Sequence, residues 1–461
     1  MEQPKAITKS ISHKLPKIRE YQWGQVQWLG FILLNVLLAL AMNAFQVVST
    51  IHAILTLAIG LFVVATARHP RQVAWVTAYI CGAEILWRMT KAGVFWEYGK
   101  YAIVLQMILA LFRMRKISNA GLPILYFTLL IVSIPLTLID LPLESSRQAI
   151  SFNLSGPLCL AVSAIFFSQT KLNSKDRSIL SWYLVAPIIG IAALSVRGIV
   201  TAKELTFGSE SMFATSGGYG PNQVAAILGL GAVLMILLAI QERSAQSRWI
   251  PVIIALALLT LSALTFSRGG LYNVAASILM VAVFSIRSRR LRRTFLPLFI
   301  LALVIGTVFI YPRLNEFTEG MLQIRFSDTD PTGRISIALS EISVWQKNPI
   351  FGVGPGMGAF HLVEELGTKV AAHTEYTRML AEHGIMGVFS GIILLIMSIK
   401  AVLKSSSGQA QGISAALIAW PLMEMAHAAM RISAIGFTFG LAFIIWSPNR
   451  DDETKISKTA D

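Results

Sequence analysis

Arg268, in the segment TFSRGG, closes a long apolar run. A charge at that depth either reaches the interface or serves a site. Its planar fork matches phosphate oxygens, so anion binding is the chemistry it offers. Glu424, His427 and Arg431, in EMAHAAMR, recur at i, i+3 and i+7 and share one helical stripe. That stripe is either an interhelical polar seam or a contact for substrate. Glu84 and Arg88, at i and i+4, read as an internal ion pair. Arg197 sits near the outer end of its apolar run, where snorkelling and function are both open. In SGGYGPNQVAA, Pro221 suits an early helical position with Asn222 beside it. The free N–H groups of such a helix start can meet an anion, or the segment is a plain entry turn.

The densest chemistry lies between residues 332 and 387, TGRISIALSEISVWQKNPIFGVGPGMGAFHLVEELGTKVAAHTEYTRMLAEHGIMG. Thr332-Gly333-Arg334 precedes a helical pattern with Ile335, Leu339, Ile342 and Trp345 on one apolar face, and Asn348-Pro349 ends it. GVGPGMG is a tight connection; without a preceding strand it is a weak phosphate signal. His373, Tyr376, Thr377 and Leu380 share a face of a short helix, with Glu375, Arg378 and His383 near and Gly384 placed as a cap. A connector between spans needs none of this, so the stretch reads as a catalytic lid.

The elements that must position these groups are membrane helices. The chain has 461 residues, 55% of them hydrophobic and 14% charged, and a mean hydropathy of +0.64. A soluble domain carries about 25% charged residues. Apolar runs of membrane length fall at 27–45, 47–67, 73–90, 98–113, 122–140, 155–171, 179–200, 221–241, 249–267, 271–286, 295–311, 386–403, 412–430 and 433–447. The last two, and the pair flanking Arg268, are short enough to be re-entrant. The expected fold is all-α, a polytopic integral membrane protein of about 12–14 transmembrane helices with one large periplasmic loop. Basic residues follow every second run: Arg68 and Arg71, Arg113 with Arg115 and Lys116, Lys171 to Arg177, Arg243 with Arg248, Arg287 to Arg293, Lys400 and Lys404. This alternation places both termini in the cytoplasm and the loops at 91–97, 141–154, 201–220 and 312–385 in the periplasm. The net charge of +15 is accounted for by these clusters, which excludes nucleic acid as the partner. The expected organisation is a basic cytoplasmic tail (1–25), a helical bundle (26–311), the large loop (312–385), C-terminal spans (386–447) and a second cytoplasmic tail (448–461). Cys81 and Cys159 lie in apolar runs and imply no disulfide framework or metal site.

In order and spacing, SGGYGPNQVAAILGLG, TFSRGGL, the Arg334–Trp345–Asn348-Pro349–Gly-x-Gly stretch, and His373-Thr374 followed nine residues later by Gly384-Ile385-Met386-Gly387 resemble the O-antigen ligase and polymerase superfamily of bacterial membrane glycosyltransferases. Thr374 stands where that family often has Asn, and the span count is higher than the twelve of the ligases. The resemblance covers roughly residues 216–390. It implies a GT-C-like helical fold in the bacterial inner membrane, working on its periplasmic face. The implied donor is a glycan on undecaprenyl pyrophosphate, and the acceptor a hydroxyl of the lipid A core, of a lipid-linked repeat unit, or of a protein.

The leaving pyrophosphate gathers negative charge. With no metal-ligand cluster and no cofactor motif in the sequence, fixed cations are expected to stabilise it, Arg268 and Arg334 first, then Arg378. The family's loop histidine matches His373, an imidazole suited to take the acceptor's proton, with Glu375 placed to orient it. Asn222, Tyr376, Arg197, Arg431 and His427 complete the expected substrate contacts. Two other classes remain. In a flippase for lipid-linked glycans, Glu84, Glu424 and His427 would couple protons, but no internal repeat supports it. A non-catalytic scaffold would leave the buried arginines unexplained.

Overall fold

The computed structural model describes residues 24–114, 117–202, 204–208, 210–242, 244–328, 333–366, 372–405 and 407–446. Apart from residues 24 and 25, both expected tails lie outside the described residues, as do Arg115, Lys116, Arg243 and Thr332.

In a bilayer core the backbone has only itself to bond, so apolar runs become helices. The first half comprises α1 (Gln25–Ala44), α2 (Gln46–Thr66), α3 (Pro70–Met89), α4 (Tyr98–Met114), α5 (Gly121–Ile131), α6 (Ile134–Asp140), α7 (Leu143–Phe167), β1 (Lys171–Leu172) and α8 (Ser174–Thr201). The second comprises α9 (Pro221–Gln241), α10 (Ala245–Leu264), α11 (Arg268–Arg287), α12 (Arg289–Val304), a π-turn (Ile305–Ile310), α13 (Tyr311–Phe317), α14 (Met321–Ser327), α15 (Arg334–Lys347), α16 (Gly358–Leu366), α17 (Glu375–Leu403), α18 (Gly408–His427), α19 (Ser433–Leu441) and β2 (Ile445–Trp446). The protein is an all-α polytopic membrane protein. Among the described residues, ten helices are long and apolar enough to cross a membrane, counting α5–α6 and α12–α13 as one each.

The remaining expected runs differ for physical reasons. α3, α4 and α18 lie inside the bundle, where neighbours replace lipid and polar residues such as Glu84, Lys100, Gln106 and Glu424 are buried. α19 has nine residues, about 14 Å at 1.5 Å per residue, against an apolar thickness of about 30 Å. It is not a span. It runs alongside α7: Met430 packs at Gly156, Gly436 at Leu160, and Gly440 sits so close that an added Cβ would lie 2.4 Å from that of Ser163. At the basic end β1 and β2 pair in parallel, Lys171 with Ile445 and Leu172 with Trp446. Arg177 stacks 4.0 Å over Trp446 there. The runs flanking Arg268 are complete 20-residue helices rather than re-entrant pieces.

The large loop is built structure. The expected 141–154 connection is instead mostly the first turns of α7. In the glycine-rich turn, Gly352, Gly354 and Gly356 all have positive φ. A Cβ on Gly352 would lie 2.4 Å from the Glu382 backbone, so the turn is pressed against α17, with Val353 N bonded to Ala381 O and Gly354 N to Glu382 O. Gly384 does not cap a helix. At φ +58° it kinks α17, joining the loop portion to the membrane portion. α15 presents the opposite face from the one its pattern predicts: Ile337, Glu341 and Val344 are buried, while Ile335 and Leu339 are exposed. With Phe317, Ile324, Ile350 and Phe351 also exposed, that face is apolar and outward, as suits lipid rather than water.

Candidate active site

α11 begins at an elbow. Phe266 has φ +58°, strained for an aromatic residue, and Ser267 leads into Arg268. Three contacts hold the elbow. Ser267 Oγ donates to Asn222 Oδ1 at 2.8 Å, tying it to the start of α9. Arg325 Nε donates to the Phe266 carbonyl at 3.0 Å, and Arg268 Nη1 donates to the carbonyl of Asp328. α14 is thereby fastened over the mouth of α11. Arg334 enters at the first position of α15, after left-handed Gly333 (φ +72°).

Arg268, Arg325 and Arg334 lie within electrostatic reach of one another. Burial, then Arg268 and Arg325, pulls the Arg334 guanidinium below its ordinary value. Burial, then Arg268, does the same to Arg325. Partly buried like charges gathered in this way are stabilised by an anion. Beneath them runs a cavity of about 460 Å³, lined almost wholly by apolar side chains of α9 to α14. Leu271, one turn after Arg268, and Leu322 and Phe326, which flank Arg325, form its top. The α12–α13 span that walls it is mostly exposed on its outer side.

His373 precedes α17, whose cap is Thr374; the hydroxyl accepts from Tyr376 N at 3.2 Å. Thr is an adequate substitute for Asn in that role. Burial, with Arg334 and Arg431 beside it, holds His373 down at about 4, so the imidazole is neutral at ordinary pH. Arg431 Nη2 donates to the carbonyl of Ala372 at 2.7 Å.

Arg431 lies in the break between α18 and α19, which is held by buried carboxylates. Glu84 Oε2 accepts from Ser433 N at 2.6 Å and Glu375 Oε2 from Met430 N at 3.1 Å. Arg88 bonds Glu84 at 2.5 Å and the Arg431 carbonyl at 3.2 Å, so the expected Glu84–Arg88 pair is present and anchors the break. Below, Asn273 Nδ2 donates to Glu424 Oε2 at 2.5 Å, and its Oδ1 lies 3.0 Å from His427 Nε2. Gly269 makes room for that ring: a Cβ there would lie 2.4 Å from it.

The structure thus brings Arg268, Arg334, His373, Arg431 and the Glu424–His427 pair into one region, with Asn222 at its edge. Other expected contacts go elsewhere. Glu375 does not orient His373: it is fully buried, paired with Arg378 and bonded to Met430 N. Arg378 is also buried, between Glu375 and Glu382. Tyr376 donates its hydroxyl to the Leu422 carbonyl at 2.9 Å, linking α17 to α18. Arg197 is exposed on the outer turns of α8 and makes none of these contacts. His383 is buried against Ser133 at 2.6 Å. Sequence reasoning passed over Arg325 and Asn273. Arg325, between Ile324 and Phe326, is a charge enclosed by apolar neighbours, the same signal that marked Arg268.

Residues 252–391, from α10 into α17, match the O-antigen ligase family. Over that segment the chain is similar to the O-antigen ligase family, which supports the superfamily that the motifs resemble. The matched segment holds Arg268, Arg325, Arg334 and His373, whereas Arg431 and the Glu424–His427 pair lie beyond it. The family supports a glycosyltransferase-like role in the membrane, with lipid-linked glycans as substrates in general. No curated protein matches the chain.

Proposed function

We propose that the protein transfers a glycan from undecaprenyl pyrophosphate to a sugar hydroxyl at the periplasmic face of the bacterial inner membrane, with both termini in the cytoplasm. The supporting observation is the gathering of Arg268, Arg325 and Arg334, two of which lie within a helical turn of side chains that line an apolar cavity. A polyprenyl diphosphate has that profile: an apolar tail for the groove and two phosphates for the guanidinium groups.

In the reaction, the acceptor oxygen attacks the anomeric carbon. The bond from that carbon to the pyrophosphate oxygen breaks, and its electron pair leaves with the carrier. Fixed guanidinium groups meet the charge as it develops. His373, neutral and beside Arg334, accepts the acceptor's proton. A bound diphosphate offsets the neighbouring cations and raises the imidazole's basicity, so the base strengthens when donor is in place. Direct displacement inverts the anomeric configuration.

The acceptor is the lipid A core in a ligase and the next lipid-linked repeat unit in a polymerase. Deletion in the host followed by gel analysis of surface polysaccharide separates them. Loss of a ligase leaves bare core with accumulated lipid-linked polymer; loss of a polymerase leaves single-repeat caps. Unchanged surface glycan contradicts the reading.

A further inference from the structure

A second cavity, of about 920 Å³, shares no lining residue with the apolar groove of α9 to α14. It meets the site at Ala372 and Arg431, next to His373 in the chain and in electrostatic contact with it. Its volume is near the top of the range of about 300–1,000 Å³ for ligand sites.

Its lining is of another kind. Phe95 and Trp96 project from the α3–α4 loop, and Tyr101 and Phe152 face them from α4 and α7. Trp96 is 42% exposed, and Arg88 lies 4.4 Å over its ring, which holds the indole plane in place. Two of the three cations on the wall are matched: Arg147 bonds Glu144 at 2.6 Å, and Arg378 bonds Glu375 and Glu382; the third, Arg431, donates to the Ala372 carbonyl where the cavity meets the site. Glu341 also faces the cavity, accepting from the Thr377 hydroxyl at 2.5 Å. Aromatic faces with carboxylates and amides suit sugar rings, which offer C–H faces for stacking and hydroxyls as donors. The carboxylates of Glu97, Glu341 and Glu382 on the wall disfavour a phosphate away from Arg431.

We infer that this cavity binds the glycan of the acceptor, with Trp96 as its stacking platform. Donor and acceptor then approach His373 from opposite sides of the wall formed by Ala372 and Arg431. The inference rests on the glycosyl-transfer reading above.

The test uses the full-length protein in lipid nanodiscs with the host's own lipid-linked donor glycan and acceptor glycolipid. Trp96→Ala is expected to raise the acceptor KM at least tenfold and to leave the donor KM within twofold. Trp96→Phe is expected to recover most of the loss. Phe152→Ala, on another helix, is expected to repeat the effect, which guards against a folding fault at Trp96. An unchanged acceptor KM in both alanine variants, or an equal rise in donor KM, overturns the inference while transfer by the wild type stands. Competition by an acceptor peptide but not by the delipidated acceptor glycan also overturns it. A wild type that released no undecaprenyl pyrophosphate would remove the glycosyl-transfer reading itself.

Discussion

The guanidinium of Arg431 holds the carbonyl of Ala372 at 2.7 Å. Through that bond the α18–α19 break, itself fixed by Glu84 and Glu375, fixes the residue before His373. His373, the proposed base, therefore sits on a loop but is anchored in the bundle core. Arg431→Gln should lower kcat by about ten- to a hundredfold, since a hydrogen bond to a charged group is worth about 1.5–3 kcal/mol. The donor KM should change much less, as measured by carrier release at varied donor.

Arg268→Lys and Arg325→Lys keep charge and lose the fork. Each should weaken donor binding by about tenfold or more at the same scale of about 1.5–3 kcal/mol. Binding of undecaprenyl pyrophosphate to purified protein checks this, and unchanged affinity for both would leave these arginines as interfacial anchors only.

His373 has its pKa lowered to about 4, against an ordinary value of 6.5. A base so depressed is lost only when pH falls through that lower value, so the acid limb of kcat/KM for the free enzyme should lie near 4. Arg334 is one of the groups pulling it down. Arg334→Gln should therefore move the limb upward, toward 6.5, besides weakening donor binding. A limb that stayed put or moved down would oppose the assignment. The same sign governs stability: the unfolded imidazole binds its proton first, so this group's contribution falls as pH drops from 6.5 toward 4 and is level below that.

Glu84 is buried between Arg88 and the Ser433 amide. Glu84→Ala strands a buried guanidinium and should cost about 3–5 kcal/mol, read as a lower thermal midpoint in detergent. The double variant Glu84→Leu with Arg88→Leu should be milder than the single, because no unmatched charge remains.

Filling the apolar groove should raise the donor KM without lowering thermal stability. Ala302→Phe projects into it from α12. A donor KM equal to wild type would detach the groove from carrier binding.

Much of this architecture was legible in the sequence, because the bilayer imposes a coarse code that apolar length and basic clusters report. Each expected apolar run became a helix. The failures have separate causes. α15 turned Ile335 and Leu339 outward and buried Ile337, Glu341 and Val344, an exposed apolar pair that amphipathic pattern reading does not anticipate. α19 read as a span because a short helix buried among neighbours is as apolar as one in lipid. In the site, Arg268 was singled out from its chemistry and Arg334 and His373 chiefly through the family resemblance, and the three lie in one region. Glu375 was misassigned because adjacency in sequence says nothing of which way a helix-start carboxylate turns; its charge belongs to Arg378 and Met430 N. Arg325 carried the same signal as Arg268, a charge among apolar neighbours, but its place at the mouth of α11 comes from the fold.

The central claim is that guanidinium groups hold a lipid diphosphate while His373 deprotonates a sugar alcohol. Full-length protein in nanodiscs, supplied with lipid-linked donor and acceptor, tests it by release of free undecaprenyl pyrophosphate. Wild type should release one carrier per glycan transferred, and His373→Ala should insert and fold normally yet transfer nothing measurable. Wild-type rates in His373→Ala, or a wild type that moves glycan without freeing the carrier, would contradict it.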